Sequence, residues 1–325
     1  MLHPKYETRI GPTVFKPETS NEIVSIVVSA SMDIPSDTFR GIFRNNGRAA
    51  IIKKEDPVNV SLGYEDSNSE VFQGKVGNIV LSTFELGVTG YSSILALCNL
   101  KKDKFYEQRT AGQIVKDLAA VGKVQIQDVE EGVRFPYYAI DSNKNAYEHI
   151  RALATICGFD IYCNEKDKLI FKKYNPITKH KADYGKNIIR ISRADNLRIY
   201  EGVTVLGESP SSVSGAETSH WIKKEPMKSI AGNQDKSMYI INRAVKDEQT
   251  AKKIAESSLD ALKFQMGIVL ELIGDPKIKL GDGIVVSGVP SRQMNGEYQV
   301  RSVEHQLNKK EGFVTIVKCK GRSKN

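Results

Sequence analysis

Cysteine is scarce. The 325 residues contain four, Cys98, Cys157, Cys163 and Cys319, and none stands two residues from another, the spacing of zinc knuckles and redox pairs. They read as reduced, mostly buried thiols. The five histidines, His3, His149, His180, His220 and His305, form no HExxH helix and no other local metal set. Neither a G-x-x-x-x-G-K-[ST] loop nor a strand-linked G-x-G-x-x-G occurs, so the sequence holds no recognisable cradle for nucleotide phosphates. No apolar run approaches the roughly 20 residues that span a bilayer. The first residues, MLHPKYETRIGPTVF, lack the basic start and continuous apolar core of a signal peptide, so synthesis and folding in cytoplasm are expected. No cofactor or metal is implied, and no membrane in the resting state.

What is present is a substantial core-forming chain, 40% hydrophobic and 26% charged, long enough for two or three domains of about 150 residues. The formal charge is +8 and the pI near 9.1. Three basic stretches, KKDK from Lys101, KDKLIFKKY from Lys166 and KHKADYGK from Lys179, raise the alternative of a nucleic-acid-binding module. In KLIFKKY, however, the apolar residues alternate as a strand requires. The lysines then read as solvated flanks that block edge pairing.

From Glu22 to Leu100 short alternating runs, among them IVSIVVSA, VNVSLGY, VFQGKVGNIVL and FELGVTGYS, are spaced by glycine, proline, asparagine and aspartate. That rhythm predicts an antiparallel barrel or sandwich. After Lys104 it changes. Thr110 and Gln113 make a capping box ahead of Ile114, Val115, Leu118 and Ala119, and a second helix runs from Asn143 to Cys157. Its stripe is Ala146, Ile150, Leu153, Ala154 and Cys157, with Gly158 as its stop. FDIYC and LIFKKY then form a hairpin around NEKDK. Strands resume from Asn187 to Ser209, a serine- and glycine-rich loop runs through Gly215, and Thr218 to Lys236 reads as irregular. A helix from Asp247 to Gln265 presents a narrow face of Ala251, Ile254, Ala255, Ser258 and Leu262. The expected fold is mainly β (α+β): a first antiparallel barrel over 1–100, an α+β insertion over 101–180, and a second barrel over 181–325 that carries an inserted loop and helix at about 210–265.

The end of the chain, NGEYQVRSVEHQLNKKEGFVTIVKC, holds its own signal. Tyr298 and Val300 share one face, while Val303, His305 and Leu307 follow the opposite parity. The slip around Arg301 and Ser302 predicts a β-bulge, and Asn308 to Gly312 predicts a turn into a last strand. An earlier segment, DPVNVSLGYEDSNSEVFQGKVGNIV, matches DPKIKLGDGIVVSGVPSRQMNGEYQVRSV in order: Asp56 with Asp275, Leu62-Gly63 with Leu280-Gly281, Gly74 with Gly296, and Gly87 with Gly312. The same β-unit is therefore expected twice, the regions Asp56–Ser92 and Asp275–Lys320 superimposing.

The succession EQTAKKIAESSLDAL, GDPKIKLGDGIVVSG and NGEYQVRSVEHQLNKKEGFVTIVKC, preceded by GFDIYCNEKDKLIFKKY, resembles the baseplate hub proteins of contractile phage tails, the late-control-D family. That family includes the N-terminal hub part of type VI secretion spike proteins. The resemblance implies two tail-tube-like barrels per chain and a homotrimer that joins a hexameric tail tube to a threefold spike. It also implies other baseplate proteins and a tape measure as partners, DNA or cargo passing through a central channel, and a place in the tail baseplate of a virion or injection particle. Because the sequence stops soon after Cys319, the trimeric spike is expected to be a separate polypeptide.

Asp275, Pro276, Gly281, Gly283, Gly296, Tyr298, His305 and Gly312 are then architectural: turns, bulge positions and a strand histidine. A tail-associated cell-wall hydrolase is the rival from another class, yet nothing singles out Glu130, Glu131 or another carboxylate pair for it. His149 and Cys157 are about 12 Å apart along their helix, too far for a thiolate–imidazole pair. The hub part of a type VI-like secretion spike is the other alternative.

Overall fold

Apolar side chains alternate along most strands, so each buries one face. The computed structural model describes residues 3–17, 22–45, 51–64, 67–195, 200–207, 227–242, 244–262 and 266–321. His220 and the serine- and glycine-rich loop to Gly215 lie outside them. The first part contains β1 (Pro4–Ile10), β2 (Thr13–Phe15), β3 (Ile23–Ser31), β4 (Thr38–Arg44), β5 (Pro57–Tyr64), β6 (Ser67–Leu81) and β7 (Glu85–Tyr91). The middle holds α1 (Leu95–Asn99), β8 (Lys104–Thr110), α2 (Ala111–Val121), β9 (Ile126–Val129), β10 (Arg134–Ile140), α3 (Ala146–Cys157), β11 (Asp160–Cys163) and β12 (Leu169–Lys172). Then come β13 (Lys179–Asp183), β14 (Ile188–Asp195), β15 (Gly202–Leu206), β16 (Lys228–Gly232), β17 (Ser237–Ile241) and α4 (Glu248–Leu262). The last strands are β18 (Met266–Ile273), β19 (Gly283–Ser287), β20 (Gly296–Asn308) and β21 (Gly312–Gly321).

The helices begin where their side chains can satisfy the free N–H groups. Thr110 and Gln113 cap α2 reciprocally, and Asn145 and Glu148 do the same for α3. Gly158 ends α3 at φ 66°, a conformation other residues adopt at a cost. Ala251, Ile254, Ala255 and Ser258 of α4 are buried, as its narrow face predicts.

Mainly β is correct, but the two closed barrels are not what the strands form. One 13-stranded sheet runs β14-β18-β21-β20-β3-β4-β7-β6-β5-β1-β2, and β19, with β13 beyond it, branches from β20. Among the described residues the path is open at β14 and β2. Its physical reason lies at β3, which uses its second edge on β20 of the last part, through Ser25–Ser31 against Ser302–Asn308. Two cores lie on either side of this junction, each completed by residues from beyond its own half, Leu307 and Phe313 in the first and Met32 in the second. Phe39, Phe43, Leu62 and Leu86 fill the first, and Ile268, Leu270, Ile284 and Val300 the second. Two further corrections concern the stretch before α4. Residues 228–232, within the segment read as irregular, form β16. In addition, Val203, Val205, Ala251 and Ile254 share one core with α2 and α3.

The strand path β3-β4-β7-β6-β5 recurs as β14-β18-β21-β20-β19, antiparallel at every step. Two of its irregularities recur. Register slips between Ile23 and Ser25 in β3 and between Ile188 and Arg190 in β14. It slips again between Val76 and Asn78 in β6 and between Val300 and Ser302 in β20, the latter being the predicted bulge. Beyond this path the copies part: β1 joins β5 antiparallel, whereas β13 joins β19 parallel.

Truncating either core is expected to be costly. Phe39→Ala should lose about 3–5 kcal/mol and Leu270→Ala about 2–5 kcal/mol. Both side chains are fully buried. Urea midpoints of the two variants check this.

Candidate functional site

The predicted motif residues gather in the turn between β18 and β19 and in the hairpin beside it. Asp275 N–H donates to the Thr315 hydroxyl at 2.9 Å, and the Asp275 carboxylate accepts from Lys277 N–H at 3.0 Å. Pro276 sits between them, where a missing N–H costs nothing. His305 Nδ1 lies 3.0 Å from the same Thr315 hydroxyl. It is Asp275's backbone, not its carboxylate, that meets Thr315, so His305 gains no carboxylate orienter here. Burial drives the His305 pKa down from 6.5 to about 4, which leaves the ring neutral at ordinary pH. Tyr298 donates to Met294 C=O at 2.8 Å. Gly283 begins β19 opposite Lys179. Gly296 and Gly312 stand at the starts of β20 and β21 with positive φ.

Hydrogen bonds in this turn give the true correspondence of the repeat. Gly281 N–H and Val300 N–H bond Val300 C=O and Asp282 C=O at 3.1 and 2.9 Å. In the first half, Glu55 N–H and Val76 N–H bond Val76 C=O and Asp56 C=O at 2.8 and 2.9 Å. The Asp282 and Asp56 carboxylates accept from Lys279 N–H at 3.0 Å and from Lys53 N–H at 2.8 Å. Asp56 therefore corresponds to Asp282, and Glu55 at φ 69° to Gly281 at φ 82°. Pairing Asp56 with Asp275 and glycine with glycine misplaced the alignment, since the same left-handed turn holds glutamate in one copy and glycine in the other.

Among the described residues the last-half turn also contacts the middle part of the chain, which the first-half turn does not. A Cβ on Gly281 would strike the Tyr162 hydroxyl of β11, Lys279 pairs with Glu165 at 2.6 Å, and His180 meets Asp282 at 2.8 Å. The bulge residue Arg301 reaches Asp160 of β11 and Asp33 beside β3, the latter at 3.2 Å. Gln299 donates to Asp160 at 2.6 Å. First half, middle and last half thus meet here, and beside the junction lies a cavity of about 210 Å³ whose lining includes Val28, Phe72, Tyr162, Ile278 and His305.

The grouping of Asp37 and Cys163 of its wall with Asp167 close by went unseen in the sequence. Asp37 is buried and accepts from Ser31 N–H at 3.2 Å. Desolvation pushes its pKa up to about 8, the Ser31 bond opposing and Asp167 adding. Asp167, at φ 55° in the β11–β12 turn, accepts from Ser93 N–H at 2.7 Å, and burial raises it to about 6. Cys163, beside both, is held far above the ordinary thiol range by the same desolvation. No local spacing pairs residues 37 and 167; only the tertiary fold does.

The residues weighed for catalysis lie elsewhere and apart. His149 Nε2 faces Asp141 C=O at 3.0 Å, whereas the Cys157 sulfur accepts from Val133 N–H at 3.4 Å and burial lifts its pKa to about 11. Glu131 pairs with Lys116 at 2.7 Å, and bonds from Lys116 and Thr110 hold its carboxyl below the usual range. Lysines of the basic stretches find carboxylates, Lys172 with Asp128 at 3.0 Å and Lys179 with Glu297 at 2.8 Å. Among the described residues no group of three or more His, Cys, Asp or Glu is placed to hold a metal ion.

No protein-family model matches the sequence, and no curated protein matches it. Solved structures do resemble the fold. The 43 kDa tail protein of prophage MuSo2 from Shewanella oneidensis aligns with a TM-score of 0.74 at 14% identity, over 98% of each chain. A tail protein from Neisseria meningitidis gives 0.74 at 13% identity, over 98% of this chain and 96% of that one. An E. coli type VI secretion component, described as similar to the T4 bacteriophage tail proteins gp27 and gp5, gives 0.63 at 9% identity, over 98% and 77%. At such identities the likeness is one of fold.

Two outcomes test the junction. Gly281→Ala, forced into a left-handed turn against Tyr162, should lose about 1–3 kcal/mol. Glu55→Ala, in the matching turn facing solvent, should stay within about 0.5 kcal/mol. For Asp37, the folded carboxyl keeps its proton up to about pH 8 while the unfolded one ionises near 3.8, so its contribution to stability is lost as pH rises through that window. His305 acts with the opposite sign between 6.5 and about 4, and the comparison is therefore made against the parent at each pH. Asp37→Asn should gain on the parent from pH 5 to pH 8 in urea denaturation; an unchanged difference would show that Asp37 is ionised in the fold.

Proposed function

We propose that this chain is a structural component of a contractile tail or injection particle, the hub of its baseplate. In this reading it works as a homotrimer that adapts a sixfold tail tube to a threefold spike and lines the central channel. The observation that carries it is the repeated strand path with its matching bulges. Three chains with two like units each offer six like surfaces to a sixfold partner, while the unlike middle part preserves threefold symmetry for the spike. Fold likeness to prophage tail proteins and to a type VI secretion component supports the same setting. The like units are the two strand paths, which lie in the regions read from the sequence as 1–100 and 181–325, and the α+β part read as 101–180 shares its core with β15 and α4.

The architectural reading of Asp275, Gly281, Tyr298 and His305 agrees with it, because their hydrogen bonds end on backbone and neighbouring strands. Three copies at +8 would carry a self-repulsion that acidic surfaces on the tube or spike offset. Native mass spectrometry of the protein purified from its assembled particle or with its spike should give three copies per spike trimer. A stable stoichiometry other than three would overturn the proposal.

A further inference from the structure

The strand β20 divides one edge between two partners. Before its bulge it pairs with β19, through Gly296–Gln299, and after the bulge with β3, through Ser302–Asn308. Its counterpart β6 pairs on that edge with β5 only up to Lys75. Beyond the bulge, Asn78–Leu81 pair with β7 alone among the described residues. The counterpart of β3 is β14, which opens the sheet path and, among the described residues, has only β18 as a ladder partner. Among the described residues there is thus one filled junction and the two halves of a second.

We propose that β14 of one copy pairs antiparallel with the open edge of β6 in the next, repeating between chains the junction that β3 and β20 make within one. The register follows from the matched ladders. Within the chain Val28 stands opposite His305, and Ser29 opposite Glu304. The matching bulges carry Val28 to Arg193 and His305 to Leu81, so Leu81 of one copy faces Arg193 of the next.

Exposure supports the same assignment independently. Val80, Leu81 and Phe84 on the β6–β7 hairpin are 61%, 64% and 81% exposed, and Ile189, the bulge residue of β14, is 54% exposed. Large apolar side chains on open strand edges are what an unfilled sheet junction presents. In the filled junction the position matching Leu81 is His305, at 4% exposure. The contact is head-to-tail, so it generates a ring when the rotation closes and a filament when it does not. Closure at three copies rests on the trimer proposed above.

The test is a cysteine pair in the full chain, L81C with R193C. Opposed Cα atoms in an antiparallel pair lie about 4.5–5.5 Å apart, within disulfide reach. Mild oxidation should convert single chains into covalent two- and three-chain species on a non-reducing gel. L81C alone and R193C alone should remain single chains, and native mass spectrometry should find closed rings of three. A trimer by mass without these cross-links would refute the edge pairing and leave the hub reading intact. Cross-linked open filaments would support the edge pairing and refute the threefold ring. Single chains with both introduced thiols free to alkylation, up to the highest attainable concentration, would overturn the inference.

Discussion

The structure depends on how one strand spends its backbone hydrogen bonds. Every buried N–H and C=O must find a partner, and β20 has neighbours on both edges. It meets β21 on one and, across its bulge, β19 and then β3 on the other. Without the extra residue at Arg301 the strand would run straight, and its later half would continue along the β19 direction. The bulge turns that half toward β3, which joins the two halves into one sheet. It also swings Arg301 to where Asp160 and Asp33 meet it.

That junction is built from charge as well as from ladders. The Arg301 side chain is only 17% exposed, and Asp160 matches it at 17%. Each therefore relies on the other, because a buried charge stripped of its partner is strongly unfavourable. Asp37 meets the same problem differently, by keeping its proton. The middle part is held to the sheet by the Arg301–Asp160 ion pair, by the Ser93–Asp167 hydrogen bond and by the Tyr162 hydroxyl packed against Gly281. Those interactions fix orientation, whereas the apolar cores on either side supply most of the burial.

Much of this was legible because it is local. The Thr110–Gln113 cap, the Gly158 stop, the small face of α4 and the parity slip at Arg301 each span a few residues, and each is present. The repeat was legible as a repeat but not in its alignment. Glycine is a poor marker of it, because the left-handed turn holds Glu55 in one copy and Gly281 in the other. Closed barrels were expected because alternation reports which face is buried and is silent about which edge meets which. The acids Asp37 and Asp167 were missed for a related reason, since only the meeting of the β3–β4 and β11–β12 turns brings them together. The capping box at Asn145 and Glu148, by contrast, was there to be read two residues beyond the expected start of that helix.

The Ser29–Glu304 hydrogen bond, at 2.7 Å, joins residues 275 apart in sequence. During synthesis, β3 leaves the ribosome long before its partner exists. At about 5–20 residues per second, the first half waits on the order of 14–55 seconds with that edge bare. Ladders of such long range are also slow to form once their partners are available. The growing chain therefore passes through a stage in which its first half is folded and adhesive, and a hairpin made some 275 residues later is the one that covers it.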